Sequence, residues 1–374
     1  MQIIEIDALD TLCFRDGKPF TSGEDTWATT TFPPSPSVIY GALRGTYFSN
    51  HIAELEHANQ RGKDPTEQLR IRLIMLQTGR HRYFPLPLDC IVPKKSKEQR
   101  EKKEKDKNDS EKAIVLKKVA TSAISNCPVN NILRSPDRVI ADKEQARIVT
   151  HDELTTYLEG STTEIRCKKI SEFIVPEPKL GIGRVNETHA TQEGRLYRID
   201  MRRLEPKMKF NVESTRHLSL VVGFDDLTLP DAGIMRLGGE GKAGKYTLSE
   251  TMTIDSPTIT GKRFKLYLMT PAIFGQGWLP CWLDAKTFEG TYHNLRLRLE
   301  TAMLGKSFGV GGFDMARKRP KKMRRVVPAG SVYYFEIVQG TIDEAITVFH
   351  NQSIADGEKN RKQGFGLTLI GGAA

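Results

Sequence analysis

Four glycine loops, each with a lysine or arginine nearby, hold the residues whose types and spacing could bind a ligand. They span residues 181–184, 238–245, 308–312 and 364–366. Glycine lets the backbone approach a ligand closely and present consecutive N–H donors, and the neighbouring cations attract anions. A tight turn is the alternative for any single loop. Four such loops in one basic chain favour contact with phosphate groups.

Residues 239–245 fit two nucleotide-binding patterns, G-x-G-x-x-G and most of a P-loop. Tyr246 stands where a P-loop needs a serine or threonine for magnesium. Residues 246–249 look like a strand, whereas both patterns need a helix at this point. The sequence therefore argues against nucleotide hydrolysis.

The densest basic stretch covers residues 317–325 and contains no acidic residue. It directly follows the glycine loop at 308–312. Such a run would supply a salt-dependent grip on a nucleic-acid backbone, and Phe308 or Phe313 could stack on bases. The alternative is a solvated loop that serves solubility.

Two histidines, His51 and His57, are the strongest candidates for catalysis. Metal-independent RNA cleavage needs a general base near the 2′-hydroxyl, a role that histidine suits. No lysine or tyrosine pattern accompanies these two, which favours surface histidines at a helix end. The sequence also shows no nucleophile elbow and no carboxylate cluster at metal-binding spacing. We therefore expect no catalytic residue, no metal and no cofactor.

Composition limits the class of protein. A length of 374 residues exceeds what one hydrophobic core usually supports, so two packed units are expected. The 38% hydrophobic and 27% charged residues are typical of a globular chain. The formal net charge of +10 favours a polyanionic partner, with nucleic acid as the leading candidate.

Targeting signals and cysteine usage indicate a cytoplasmic protein. The five cysteines are scattered without a CxxC pair, which is typical of reduced, structural thiols. The first twelve residues lack a basic region, and no apolar run is long enough to cross a bilayer. We expect no membrane partner.

Strand, helix and strand patterns appear at both ends of the chain. Residues 3–12 alternate like a strand, a helix begins at Pro36 with Ser35 as N-cap, and residues 83–92 resemble an edge strand. Near the C-terminus, strand 332–338 precedes a helix with a Thr341–Glu344 capping box, and residues 364–370 form a final strand.

This repetition predicts an α+β fold with two ferredoxin-like (RRM-like) βαβ-type folds in tandem and long loops. The domains are expected at 1–205 and 206–374, because Pro206 interrupts the pattern. A charged insertion near 93–112 contains almost nothing apolar, so we interpret it as a solvated segment outside any core.

Several longer strings carry a family resemblance. The chain resembles the third RAMP subunit of the type III-B CRISPR (Cmr) effector complex, a member of the RAMP superfamily. The strings are LDTL (9–12), FRDGKPF (14–20), GEDTW (23–27), FPPSPS (32–37), YGALR (40–44), KLGIGR (179–184), EGRLY (193–197), RLGGEG (236–241) and GFG (364–366).

The resemblance implies a subunit of an antiviral ribonucleoprotein that binds the repeat-derived 5′ tag of the crRNA. It implies docking on the large palm-domain signature subunit and on a neighbouring backbone RAMP subunit, and no intrinsic nuclease. Two alternatives stay open. One is a metal-independent crRNA-processing endoribonuclease, and the other is a protein scaffold without direct RNA contact.

A short single-stranded tag needs stacking faces for its bases and donors for its backbone. We expect Trp27 and Tyr197 to stack on bases. The remaining RNA-binding candidates are Arg15, Lys18, Ser35, Ser37, Arg44, Gly181, Gly183, Arg184, Arg195, Gly239, Gly241, Lys242, Lys245, Gly309, Gly311, Arg317, Arg319, Gly364 and Gly366.

Overall fold

Two large antiparallel sheets, of ten and six strands, form the framework of the chain. The computed structural model describes residues 1–15, 27–28, 30–94, 110–121, 129, 131–137, 139–142, 146–204, 218–250, 252–314 and 318–373. Strands greatly outnumber helices among these residues, so the predicted α+β class is confirmed with a strong bias to β-structure.

The strands up to residue 204 supply most of the first sheet. They are β1 (Gln2–Ala8), β2 (Trp27–Ala28), β3 (Arg70–Thr78), β4 (His81–Pro85), β5 (Cys90–Ile91), β6 (Glu111–Val115), β7 (Lys117–Ala120), β8 (Asn131–Arg134), β9 (Arg147–Thr150), β10 (Glu164–Lys169), β11 (Ile174–Arg184) and β12 (Thr191–Leu204).

The later strands complete the first sheet and build the second. They are β13 (Ser219–Asp225), β14 (Ala232–Arg236), β15 (Ala243–Leu248), β16 (Arg263–Leu268), β17 (Glu289–Tyr292), β18 (Leu295–Met303), β19 (Phe308–Val310), β20 (Phe313–Asp314), β21 (Arg319–Pro320), β22 (Arg324–Val326), β23 (Val332–Gln339), β24 (Gln352–Ser353) and β25 (Leu367–Gly372).

The described helices are short and few. They are α1 (Pro36–Asn50), α2 (His151–Glu159), α3 (Ile342–Phe349) and α4 (Glu358–Lys362), with 3₁₀ turns at Ile52–His57 and Ile170–Glu172. Helix α1 begins at Pro36 after Ser35 as the sequence predicts, and it buries Ile39 and Leu43. The Thr341–Glu344 capping box of α3 is also confirmed.

The ten-stranded sheet has the order β14-β15-β1-β13-β3-β4-β9-β10-β6-β5. Strands β1 and β3 run parallel to each other because each pairs antiparallel with β13. Helix α1 connects β1 to β3, which makes a strand-helix-strand crossover around β13. The predicted strand at 3–12 ends earlier, at Ala8, and Leu12 pairs instead with Arg202 of β12.

The six-stranded sheet repeats this geometry in the order β17-β18-β23-β16-β25-β24. Strands β23 and β25 are parallel, with β16 antiparallel between them, and α3 makes the crossover. Ala345 and Phe349 of α3 are buried in the core of this sheet. The final strand begins at Leu367, three residues later than expected.

Three sequence expectations need correction. The boundary at 205–206 does not separate the sheets, because β13 to β15 pair within the first sheet and the second sheet begins only at β16. Residues 83–92 do not form one edge strand, since β4 lies between β3 and β9 and only β5 lies at the edge. Glu111, placed in the solvated insertion, is buried in β6 and pairs with Arg147 at 2.8 Å.

The two sheets share buried contacts. The larger hydrophobic core includes Tyr267, Val332, Tyr334 and Leu369 together with residues of the first sheet. Asp89, which is fully buried after β4, accepts a hydrogen bond from the Tyr334 hydroxyl at 2.5 Å. These contacts connect the first sheet to β16, β23 and β25.

Candidate nucleic-acid interface

Segments that are far apart in the sequence meet at residues 10–15. The Leu12 N–H donates to the Arg202 carbonyl at 2.8 Å, and the Arg202 N–H donates back to Leu12 at 2.9 Å. The Gly239 N–H donates to the Cys13 carbonyl at 2.8 Å. We call the assembly of residues 10–15, the β11–β12 hairpin and the turn at 237–242 the junction. Parts of five of the family-like strings therefore meet here.

The β11–β12 hairpin depends on a glycine at its centre. Gly181 lies directly opposite Tyr197, and a Cβ atom at this glycine would overlap the tyrosine ring. The other contacts of Tyr197 include a small apolar cluster formed by Cys13, Ile199 and Met201. Gly181 thus permits the tyrosine ring to lie against the strand, which is a packing role rather than an anion-binding one.

Acidic side chains neutralise several cations of the junction. Lys242 forms an ion pair with Asp10, and Arg203 lies 3.6 Å from the same carboxylate. Arg203 also donates two hydrogen bonds to Glu177, at 2.6 and 2.9 Å. The hydrogen bond from Lys242 lowers the pKa of Asp10, and the hydrogen bond from Arg203 lowers the pKa of Glu177. Lys242 is therefore already paired, contrary to its expected role as an open phosphate contact.

Other cations around the junction are free to meet an anion. Lys179 and Arg184 on β11, Arg236 on β14 and Lys245 on β15 are exposed, and they make no ion pair with another described residue. At the outer end of the hairpin, apolar side chains are exposed beside these charges. They are Leu180, Ile182 and Leu196.

The turn at 237–242 is a hairpin turn between β14 and β15. The sequence likewise indicates a strand, not the helix of a P-loop, after this turn. Strand β15 follows it directly, in place of the helix that nucleotide-binding motifs require. Gly238 and Gly241 adopt left-handed backbone conformations, and a Cβ at Gly238 would collide with the Cys13 carbonyl. The predicted N–H donor of Gly239 is already bonded to Cys13, so this turn holds the junction together.

The start of α1 lies close to the same segment. The Thr31 N–H donates to the Phe14 carbonyl at 2.9 Å, and Arg15 pairs with Thr30 in an isolated bridge. The Ser35 and Ser37 hydroxyls lie 3.1 Å apart, and neither makes a helix-capping bond. The helix start is consequently open to an additional acceptor.

Arg44 lies further along α1 and is held within the protein. Its guanidinium contacts Asp64 at 2.5 Å, Thr66 at 2.6 Å and Asn59 at 3.1 Å. Arg44 therefore stabilises the loop after the 3₁₀ turn, and only part of its charge remains for a ligand.

The GFG loop at 364–366 does not fit its predicted role. Gly364 and Gly366 are buried, and their N–H groups donate to the Arg361 and Pro271 carbonyls. Both glycines have positive φ angles, and a Cβ at either one would meet Ile71 or Ala355. Their amides are already engaged, so the glycines serve the turn before β25.

The glycines at 308–312 belong to a second hairpin, the hairpin at 308–326, whose described residues are 308–314 and 318–326. Strand β19 pairs with β22, and β20 pairs with β21, which contains Arg319. Gly309 lies opposite Arg325, and Gly311 connects β19 to β20. The described part of the basic run thus lies on one side of this hairpin, in β21, in β22, in the residues between them and in Lys318 just before β21.

The side chains of four candidate residues lie outside the described part of the structure. Lys18 and Arg317 lie outside the described residues. Trp27 pairs through its backbone with Arg198, and Arg195 lies within β12. Both positions are therefore part of the junction's three-stranded sheet.

The candidate catalytic histidines have structural contacts. The His51 ring stacks on Tyr47 at a centroid distance of 4.3 Å, and its Nδ1 lies 3.0 Å from the Tyr47 carbonyl. His57 lies 3.6 Å from Glu56. Within the described part of the chain, no three histidine, cysteine or acidic side chains come together as a metal site.

Comparison of the sequence with known families identifies the chain. The profile described as CRISPR-associated protein (Cas_Cmr3) matches residues 4–373. The chain belongs to the Cmr3 family of CRISPR-associated proteins. No curated protein sequence matches it.

Two solved structures share the fold of this Cmr3-family chain. They are cryo-EM structures of a type III-B Cmr-beta complex, one bound to cognate target RNA and AMPPnP and the other bound to cognate target RNA. Each matched chain is 16% identical, with a TM-score of 0.52 over 89% of this chain and 86% of the other. No helix among the described residues is long and apolar enough to cross a membrane.

Sequence reasoning missed the acidic members of the junction. Asp10 and Glu177 pair with cations that lie far along the chain, at Lys242 and Arg203. No local pattern indicates such pairs. The only signal was that Asp10 lies within the first family-like string.

Proposed function

We propose that the chain is a non-catalytic, cytoplasmic RNA-binding subunit of a type III-B CRISPR effector, and that its junction holds the 5′ repeat-derived tag of the crRNA. One observation carries the proposal. Leu12 exchanges backbone hydrogen bonds with Arg202 of β12, and Gly239 donates one to Cys13, so the segments that carry the family-like strings at 9–20, 179–197 and 236–241 converge. Such convergence supports a single functional surface.

The junction has the chemistry that a single strand needs. Exposed Arg184 and Lys245 can contact phosphates, and the open helix start at Ser35 adds backbone donors. The exposed apolar side chains at the hairpin end can pack against splayed bases. The paired cations Lys242 and Arg203 position this surface.

The strand order supports two ferredoxin-like folds. Strands β15-β1-β13-β3 and β25-β16-β23-β18 each follow the order 4-1-3-2 when numbered along their own unit. A ferredoxin-like fold has two crossover helices, one in each half. The first unit has only the first of these helices, α1, and the second unit has only the second of them, α3. We infer a duplicated ferredoxin-like framework in which each unit has lost one helix.

The partners proposed for this subunit are the large palm-domain subunit and a neighbouring backbone RAMP subunit. Exposed Ile234 on the edge strand β14 and exposed Leu248 on β15 support docking at this side of the sheet. The solved Cmr-beta complexes contain target RNA, which is consistent with an RNA-bound setting for the family fold.

Binding to guide RNA tests the proposal. An Arg184→Ala and Lys245→Ala double variant should weaken binding of repeat-bearing guide RNA and reduce its salt dependence, because both charges are exposed. A Lys262→Ala and Lys286→Ala double variant removes two exposed charges elsewhere and serves as the control. Unchanged affinity and salt slope in the first variant would remove the junction from the binding surface.

The same experiment separates the alternatives. Cleavage of the repeat RNA that disappears on His51→Ala or His57→Ala would establish the endoribonuclease. Complete absence of RNA retention at low salt would favour the protein scaffold.

A further inference from the structure

The hairpin at 308–326 is anchored to the protein at its root. Val310 and Val326 pack with Ile273, Ala355 and Phe365 in a small apolar cluster. In addition, the Arg324 guanidinium donates to the Asn360 side chain of α4 at 3.0 Å. The basic strand is therefore held beside α4 and does not project as an unsupported loop.

The fold brings like charges together at this root. The pKa of Lys321 lies below its ordinary value because of desolvation and the nearby charge of Lys359 on α4. Arg44 on α1 adds to the same effect, and Asp314 partly opposes it. Two segments that are distant in sequence from the hairpin, α1 and α4, thus place cations near Lys321. An anion at this position would relieve their repulsion.

Most cations of the hairpin and of α4 have no acidic partner among the described residues. Lys318, Arg319, Lys321, Lys322, Arg325 and Lys359 are exposed, and they make no ion pair with another described residue. The arrangement differs from the rest of α4, where Arg361 pairs with Glu358 at 3.0 Å. It also differs from the junction, where Asp10 pairs with Lys242.

Apolar faces accompany the charges. Phe313 is 52% exposed and Met323 is 44% exposed, and both lie on the same hairpin as the basic run. Aromatic side chains beside a basic groove are the combination that single-stranded nucleic acid uses, because every base offers a π-face for stacking. An acidic protein partner would not require these faces.

We propose that the hairpin at 308–326 and α4 form a second binding surface, the basic ridge, which holds the phosphodiester backbone of single-stranded RNA without reading its sequence. The inference rests on the proposed function, since it assumes that the chain binds RNA, and it assigns RNA outside the tag to this surface. The ridge adds Lys359, which no sequence pattern singled out. The charge of Arg44 also acts on Lys321, and Arg44 lies on α1, the helix whose start is close to the junction.

The test uses the full chain and a variant that removes charge without breaking a bond. The variant is Lys321→Gln, Lys322→Gln and Lys359→Gln, because these side chains make no hydrogen bond or ion pair with another described residue. The matched control, Arg80→Gln, Lys262→Gln and Lys286→Gln, removes three exposed charges that likewise make no ion pair with another described residue. Thermal melting verifies that both variants remain folded.

Fluorescence anisotropy then measures binding of a labelled oligouridine and of repeat-bearing guide RNA across a salt series. For oligouridine we expect the ridge variant to lose roughly tenfold in affinity. The magnitude of the slope of log K against log salt should fall by about 2, because three phosphate contacts are lost and each contributes about 0.7 on a single strand. The control should keep the wild-type slope. The arginine variant, Lys321→Arg, Lys322→Arg and Lys359→Arg, should restore binding.

Three results would overturn the inference in distinguishable ways. Wild-type affinity and slope in the ridge variant would refute the ridge and leave tag binding intact. An equal loss in the control would show that only net charge matters. If labelled polyglutamate, measured in the same assay, bound the ridge variant less tightly while RNA binding stayed unchanged, the surface would be assigned to an acidic protein. If the unaltered chain bound neither RNA, the proposed function itself would fail.

Discussion

Replacement of Asp89 by asparagine tests the buried polar contact that joins the two sheets. Asp89 is fully buried and accepts hydrogen bonds from the Tyr157 hydroxyl, at 2.8 and 2.7 Å, and from the Tyr334 hydroxyl at 2.5 Å. Lys265 is buried nearby, with its ammonium 3.4 Å from the centroid of the Tyr157 ring and donating to the Tyr157 carbonyl at 2.9 Å. The asparagine keeps the shape of this site but removes its negative charge.

The expected cost comes mainly from Lys265. Burial lowers the pKa of this lysine, and the charge of Asp89 opposes that shift. Without the carboxylate, the ammonium becomes an uncompensated buried charge, which typically costs about 3 kcal/mol. For a chain of 374 residues, a loss of that size lowers Tm by about 4 °C.

The pH dependence distinguishes this explanation from simple loss of hydrogen bonds. A lysine with a lowered pKa in the folded state binds more protons when unfolded, so stability rises with pH between its folded pKa and its ordinary value of about 10.4. The Asp89→Asn substitution lowers the pKa of Lys265 in the folded state further. The pH range over which stability rises therefore extends to lower pH. The deficit of Asp89→Asn relative to the unaltered chain should therefore be smaller at pH 9 than at pH 7.

Urea denaturation at these two pH values measures the deficit, with Asp231→Asn as the control because Asp231 is exposed. The control should change the free energy of unfolding by less than about 0.5 kcal/mol. A deficit below about 1 kcal/mol for Asp89→Asn, or one independent of pH, would refute the assignment of Lys265 as a buried cation compensated by Asp89.

Three further substitutions test other parts of the structure. Gly181→Val should displace the Tyr197 ring and lower the free energy of unfolding by about 1 to 3 kcal/mol in urea denaturation, and no loss would contradict the close ring packing. Asp10→Asn should release Lys242 and steepen the salt dependence of RNA binding by up to about 0.7, whereas a shallower slope would oppose the proposed junction. Thr341→Ala should remove the cap of α3 and cost about 1 kcal/mol by thermal melting, with Thr341→Ser as the control that retains most stability.

Local patterns predicted local structure well. Helix α1 and the capping box of α3 were predicted because helix starts depend on side chains within one turn of each other. Strand pairing was not predictable in this way. Strand β13 inserts between β1 and β3 although it follows them by more than a hundred residues, and this insertion moved the true division between the sheets beyond the expected 205–206 boundary.

Local patterns also failed to predict which side chains pair at the candidate site. The family-like strings identified the regions that meet at the junction, but not how their side chains pair. Lys242 was expected to be open because Asp10, its partner, lies 232 positions away in the sequence. Gly364 and Gly366 matched an anion-binding pattern, yet their positive φ angles serve a buried turn. A glycine pattern by itself does not distinguish these two uses.

Photocrosslinking of guide RNA to the full chain tests the central claim most directly. Guide RNAs would carry 4-thiouridine at single positions, in the repeat-derived 5′ end or in the remainder, and mass spectrometry would identify the crosslinked peptides. The proposal predicts that the 5′ positions crosslink to peptides covering residues 10–15, 27–37 and 179–198. Crosslinks from those positions only to other peptides, with none in the junction, would contradict it.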